Sequence, residues 1–409
     1  MATTTKIHLT PSEAAGVFHA PGISAESAAK ASQVLQENHE RFNIFFNDEE
    51  FHNHIVHHIL SIYALGASPE TIQKQYDQNT SYQRPPDPIH QEVVDELGDY
   101  EKRKKYLGKQ KYTSDFLVFY QKEIDRLGWE AALLEHVFKG DESADDMLVR
   151  LYMEFKQPAI IAQALAQTAV HGNWLAPFFH DAEKAAASQK PTEKLLIELL
   201  DEIHADRKLS TAAQWEDPNK IRDGILKRAP EEMIKYVSQW SAQPEELEEK
   251  MAEMIDAVAY YTTTAQNPPK QVKLDFYYVH CLNSSIFFPS LFSLPSLPAT
   301  TKARILTWKA RIDLVMYASR RSPRLLREEV ESYAPRKDGT WEDLFGRVVG
   351  LNGDDGHIAK AVRAFAFGEV ACAGAKGKGK MDAGMWRRAG HMGEFSPLPG
   401  YGCVKLGVG

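Results

Sequence analysis

Apolar residues recur along most of this chain at intervals of three and four, the spacing that lines them up on one face of a helix. After Ser24, Ala28, Ala31, Val34 and Leu35 make one such stripe, running toward His39. Phe51, Ile55, Ile59 and Ile62 make a second; Asn47 and Asp48 are candidate caps before it, Glu49 and Glu50 suit the helix dipole, and Gly66 closes it. Ser68-Pro69-Glu70 opens the next helix, and the prolines between Ser81 and Pro88 end it in a loop. Phe116, Leu117, Tyr120 and Ile124 then mark a helix over Thr113–Leu127, with Trp129–Phe138 following.

The same period continues through Ala144–Phe155, Pro158–Ala169, Pro191–Asp206 and Pro230–Ala265, the last broken at Gln243-Pro244. Residues 272–294 are the most apolar stretch and read as a buried helix to Phe288, although Phe276, Tyr277, Tyr278 and Val279 alone would also read as strand. Helices are expected over Thr301–Ser319, from Trp341, and after Asp354-Asp355-Gly356, where Ile358, Val362 and Phe365 turn toward a core. Thr10-Pro11-Ser12-Glu13 opens a short helix to about Phe18. The pattern predicts an all-α fold: a lead-in over 1–20, one multi-helix domain over 21–370 enclosing an apolar cavity, and a poorly ordered Gly/Pro-rich tail over 371–409.

Asn38–Gly66 is also where the chemistry concentrates, because five histidines (His39, His52, His54, His57 and His58) fall within twenty residues. On a helix His54 and His58 lie one turn apart, so two imidazoles could share one metal ion if a third ligand came from elsewhere; solvated or capping roles are the plain alternative. His52 reads as the surface residue of the group. His280, inside an aromatic run, fits a hydrogen-bonded core role as well as a ligand role. Lys360 shares its face with His357 among Ala359, Ala361 and Val362, so its charge must be lost, paired or carried to solvent.

Composition narrows the partners. With 48 basic against 56 acidic residues there is no broad positive field, which argues against nucleic acid and acidic membrane surfaces and leaves small molecules or proteins. Three cysteines without metal-ligand spacing, a polar start and no long apolar run point to a cytoplasmic protein that is neither secreted nor membrane-spanning. No GxGxxG, P-loop or GxSxG occurs, so the chain carries no flavin or dinucleotide fingerprint.

Four separated blocks carry a resemblance: NHERFNIFFNDEEFHNHIVHHILSIYALGASPETI, EFKQPAIIAQALAQTAVHGNW, FYYVHCLNSSIFF and DDGHIAKAVRA, in that order. Together, over about Pro21–Gly368, they resemble the questin oxidase-like family of fungal polyketide-pathway oxidoreductases. The resemblance implies Baeyer–Villiger-type oxygen insertion or ring cleavage of an anthraquinone- or xanthone-like polyketide, with NADPH dependence. It places His58 (His54 as alternate), His280, His357 and Lys360 at family motif positions. Histidines from three separated motifs, in a chain without a flavin or nicotinamide fingerprint, suit ligands of a non-haem Fe(II), with metal-free acid–base roles as the second reading. Lys360, carboxylated by carbon dioxide, would be an anionic ligand, and Phe276, Tyr277, Phe287 and Phe288 would wall the substrate pocket.

One departure bears on activity. A family motif of the form HPxIHLGYG normally precedes the EFKQP block, whereas here Leu148–Met153 runs directly into Glu154, leaving His171 as the substitute ligand or the centre impaired. A metal-free oxidase fed by NADPH or a partner oxidoreductase, and a catalytically silent polyketide-binding protein, are the competing readings.

Overall fold

The computed structural model describes residues 1–11, 18–148, 157–189, 192–374 and 379–394, without the side chains of Asp146 and Leu148. Among them the fold is all-α, and the pairing of extended backbone is confined to an isolated antiparallel bridge between Phe45 and His52. The principal helices are α1 (Ala25–Arg41), α2 (Ile55–Ala64), α3 (Pro69–Thr80), α4 (Thr113–Leu127), α5 (Pro158–Val170), α6 (Ala176–Ala187), α7 (Leu196–Ala205), α8 (Pro230–Val237), α9 (Leu247–Thr264), α10 (Phe276–Ser285), α11 (Ala299–Ser319), α12 (His357–Cys372) and α13 (Ala383–Glu394). No helix among the described residues is long and apolar enough to cross a membrane.

The chain forms two compact units: Met1–Asn173 with Pro289–Leu297 and Phe345–Lys360, and Trp174–Phe288 with Pro298–Leu344 and Ala361–Gly409. In the first, α1, α2 and α3 pack against one another and α4 packs along α5. Ser24 and Ser68 cap α1 and α3 with their hydroxyls, as their positions before the apolar stripes predict. Ala28, Ala31, Val34 and Leu35 are all buried, and so are Ile55, Ile59 and Ile62.

The second unit is built around α9 and α11. Helix α9 packs on α10 and α11, and α7 also lies against α11. Tyr261, Tyr278 and Tyr317, from α9, α10 and α11, form a buried ring cluster with Tyr261 and Tyr278 edge to face at 4.8 Å. The strand alternative for Phe276–Val279 is resolved as helix because Asp275 caps the backbone amides of Tyr277 and Tyr278.

Two expectations shift. Helix α2 begins at Ile55 rather than beside Asn47, because the Asn47 side chain accepts from the amides of Glu49 and Phe51 and turns the chain, with Glu50 at φ 63°. His52 therefore lies on extended backbone. Part of the segment expected to be a poorly ordered tail is helix α13, with Met385, Trp386, Ala389 and Met392 buried; its apolar period was masked by the glycines around it. The helix expected after Thr10, the segment 149–156 holding the motif gap, and residues 395–409 lie outside the described residues.

Gly368 explains how closely α13 docks: a Cβ there would come within 2.4 Å of the Trp386 ring. Trp386→Ala is expected to cost about 3–5 kcal/mol of unfolding free energy in urea titrations. An unchanged midpoint would show that this helix contributes nothing to the core.

Candidate active site

The site assembles in the first unit from the start of α2, the end of α3 and the Asp354–Lys360 turn into α12. Asp354 is the cap: its carboxylate accepts from the amides of Ile358 (3.2 Å) and Ala359 (3.3 Å). Gly356 follows at φ 101°, a conformation that side chains avoid, and a Cβ there would lie 2.7 Å from the His58 Cβ. Glycine thus lets the turn close directly onto α2.

Asp355 organises the imidazoles. One of its oxygens accepts from His54 Nδ1 at 3.2 Å and the other from His357 Nδ1 in a shorter contact, and the two rings stand perpendicular with centroids 4.8 Å apart. His54, Asp355 and His357 offer ligand atoms that all lie within 4.8 Å of one another, the group of metal-ligating side chains found among the described residues. With Nδ1–H donated to the carboxylate, each ring keeps its lone pair on Nε2, the arrangement usual for a metal-bound histidine and its orienting acid.

His58 is fully buried on the neighbouring turn. Asn79 Nδ2 approaches its Nδ1 at 3.4 Å. The amide is fixed from both sides, since Tyr82 donates to Asn79 Oδ1 (2.7 Å) and Nδ2 donates to the Gln75 carbonyl (2.9 Å). His58 Nδ1 is therefore the acceptor, and the ring proton sits on Nε2, buried and with no partner among the described residues.

Electrostatics agree with neutral imidazole at that position. Burial, reinforced by Lys360 and His54 and opposed by Asp355, pushes the His58 pKa down to about 3. Burial also pushes Lys360 below its ordinary value against the pull of Asp355 and Asp354. Burial and the neighbouring Asp355 charge raise Asp354 to about 6, whereas Asp355 is held well below the usual carboxylate range, burial being outweighed by its hydrogen bonds from His357 and His54.

The structure thus brings His54, His58, His357 and Lys360 around Asp355, which the sequence had marked only as part of a helix cap. His280 is elsewhere in kind: an exposed residue of the second unit whose Nδ1 bonds the Phe276 carbonyl at 2.7 Å and whose ring lies edge-on to Phe276. Phe288 is buried, Phe276 and Phe287 are half-buried and Tyr277 is exposed, so the four do not form one buried wall. His171 pairs instead with His52, Nε2 to Nε2 at 2.7 Å, with Glu50 3.5 Å from its other nitrogen. That pair, and the orienting role of Asp355, link residues too far apart in sequence for spacing to reveal. The cavity alongside α2, of about 60 Å³, has a mixed lining: the carboxamides Asn38, Asn43, Asn53, Gln163 and Gln167 alternate with aliphatic side chains beside His57.

A buried histidine–carboxylate–lysine site in an all-helical fold is the class that these features define. The family profile described as Questin oxidase-like matches residues 51–365, and this chain belongs to that family. It is 36% identical to the Baeyer-Villiger monooxygenase dmxR6 of Cryptosporiopsis sp., over 98% of this chain and 91% of the relative. It is 34% identical to a questin oxidase of Aspergillus fumigatus, over 90% and 87%, and 33% identical to the oxidoreductase AflY of Aspergillus parasiticus, over 91% and 79%.

Because the folded His58 binds its proton more weakly than the unfolded one, its neutral burial contributes stability that is present above about pH 6.5 and lost as pH falls toward 3. In metal-free protein, His58→Gln should lose less stability than the parent between about pH 7 and pH 4, by about 3 kcal/mol in urea titrations. Coincident acid limbs would place the His58 proton affinity near its ordinary value.

Proposed function

We propose that this chain oxidises an aromatic polyketide with dioxygen, inserting one oxygen atom beside a ring carbonyl in the Baeyer–Villiger sense. One observation carries the reading: an Asp355-oriented pair of imidazoles beside a desolvated lysine and a buried His58 Nε2–H that has no partner among the described residues. The names of the relatives support the reaction type. In balance, ketone, dioxygen, two electrons and two protons give ester and water, with NADPH or a partner oxidoreductase as the electron source.

The donor set fits a non-haem Fe(II). His54 and His357 would hold it through Nε2, and Lys360, which burial inclines to the neutral amine that reacts with carbon dioxide, would join as a carbamate oxygen donor. When bound, iron would supply the one-electron chemistry that ground-state dioxygen requires. His58 has a different part: its Nε2–H is a preorganised donor for the substrate carbonyl oxygen as negative charge develops there. For His58 to act as a ligand through Nε2, Asn79 would have to turn its oxygen toward Nδ1 and give up its bonds with Tyr82 and Gln75. Asp355 fixes the tautomers of His54 and His357, and the low proton affinity of His58 keeps it neutral at working pH. With the HPxIHLGYG histidines absent, this reading draws the protein ligands from His54, His357 and Lys360.

Iron content and turnover of untagged protein on a hydroxyanthraquinone, with ¹⁸O₂ incorporation read by mass spectrometry, test it. His357→Ala should lose iron and at least about 100-fold in turnover. His58→Ala should keep iron yet slow by about 100-fold, the loss typical of one oxyanion donor. His280→Ala should match the parent. Metal-free protein that turns over with NADPH would remove iron from the reading, and inert protein that only binds the anthraquinone would overturn the activity.

A further inference from the structure

A second site lies in the other unit, on α11. Arg311 is 2% exposed; its Nε donates to the Val237 carbonyl at 3.2 Å, and its Nη1 is buried with no partner among the described residues. The acid that acts on it is Glu183, on α6. That carboxylate is already engaged: it accepts from Arg304 Nε (2.7 Å) and Nη2 (3.1 Å) and from Trp308 Nε1 (2.8 Å). Arg304 also stacks over the Trp308 ring at 4.4 Å.

Arg311, Arg304 and Glu183 line one pocket of about 270 Å³, together with Thr307, Gln243, the exposed Thr300, Pro244 and several alanine side chains. Thr307 is internally satisfied, accepting from the Ala242 amide and donating to the Ala303 carbonyl, so it does not serve Arg311. A guanidinium in this setting carries a desolvation cost that one shared carboxylate does not offset. The cost shows in its proton affinity, which burial pushes down to about 10 against the attraction of Glu183.

We propose that this pocket is an anion-binding site, in which Arg311, with Arg304 beside it, takes the carboxylate or phosphate group of a small ligand. Such a group supplies the acceptors that Arg311 lacks and gives the pocket a second negative charge for its two guanidiniums. The inference is independent of the chemistry proposed for the histidine site, since it rests on residues of the other unit.

Calorimetric titration of the full chain with inorganic phosphate and, separately, with acetate tests it and separates the two sources. One of them should bind saturably and raise the melting temperature, and Arg311→Met should weaken that binding at least about tenfold. In anion-poor buffer Arg311→Met should melt no lower than the parent, because it removes an uncompensated buried charge. Thr300→Glu, a change at an exposed position, should weaken binding in the same direction by placing a carboxylate at the pocket. Neither anion binding, or binding unaltered in both variants, would overturn the proposal.

Discussion

Everything in the histidine site depends on one carboxylate accepting from two imidazoles. Asp355 fixes the tautomer of His54 and His357, keeps itself ionised by doing so, and sets the two rings perpendicular at close range. Its neighbours make that possible. Asp354 anchors the first turn of α12, and Gly356 removes the side chain that would otherwise hold the turn away from His58. Three consecutive residues cap, orient and make room.

The cost of the arrangement is electrostatic. His58, His357 and Asp354 are buried, and the Lys360 amine is desolvated, close to helix faces that bury residues such as Leu35, Ile55, Ile59 and Ile62. Such a patch is favourable only while its members are paired or neutral, and a single unpartnered donor inside it is a place where a ligand gains more than it would at the surface. The same logic operates in the second unit around Arg311, where two guanidiniums, Arg311 and Arg304, share the Glu183 carboxylate. Polar groups left short of partners thus occur in both units, each within a largely apolar surround.

Much of the fold was legible beforehand because helices announce themselves locally. The stripes at Ala28–Leu35 and Ile55–Ile62, the serine caps at Ser24 and Ser68, and the break at Gln243-Pro244 all appear where the pattern put them. The errors are also local. Asn47 offers its oxygen to the backbone in a turn as readily as in a cap, and α2 starts at Ile55 instead of directly after Asn47 and Asp48 as a result. A glycine-rich neighbourhood concealed the apolar face of α13.

By itself, the sequence determined the helical class, the family and the concentration of histidines, because periodicity, motif order and composition are properties of neighbouring residues. Only the tertiary structure decided what those histidines do. His54 and His58, one turn apart, proved to differ: one is oriented by Asp355, some three hundred residues away, and the other by Asn79. His52, which reads as a surface residue, is paired with His171 across more than a hundred residues. Proton position and burial are set by atoms that meet only when the chain is folded, so spacing could nominate the residues but not assign their roles.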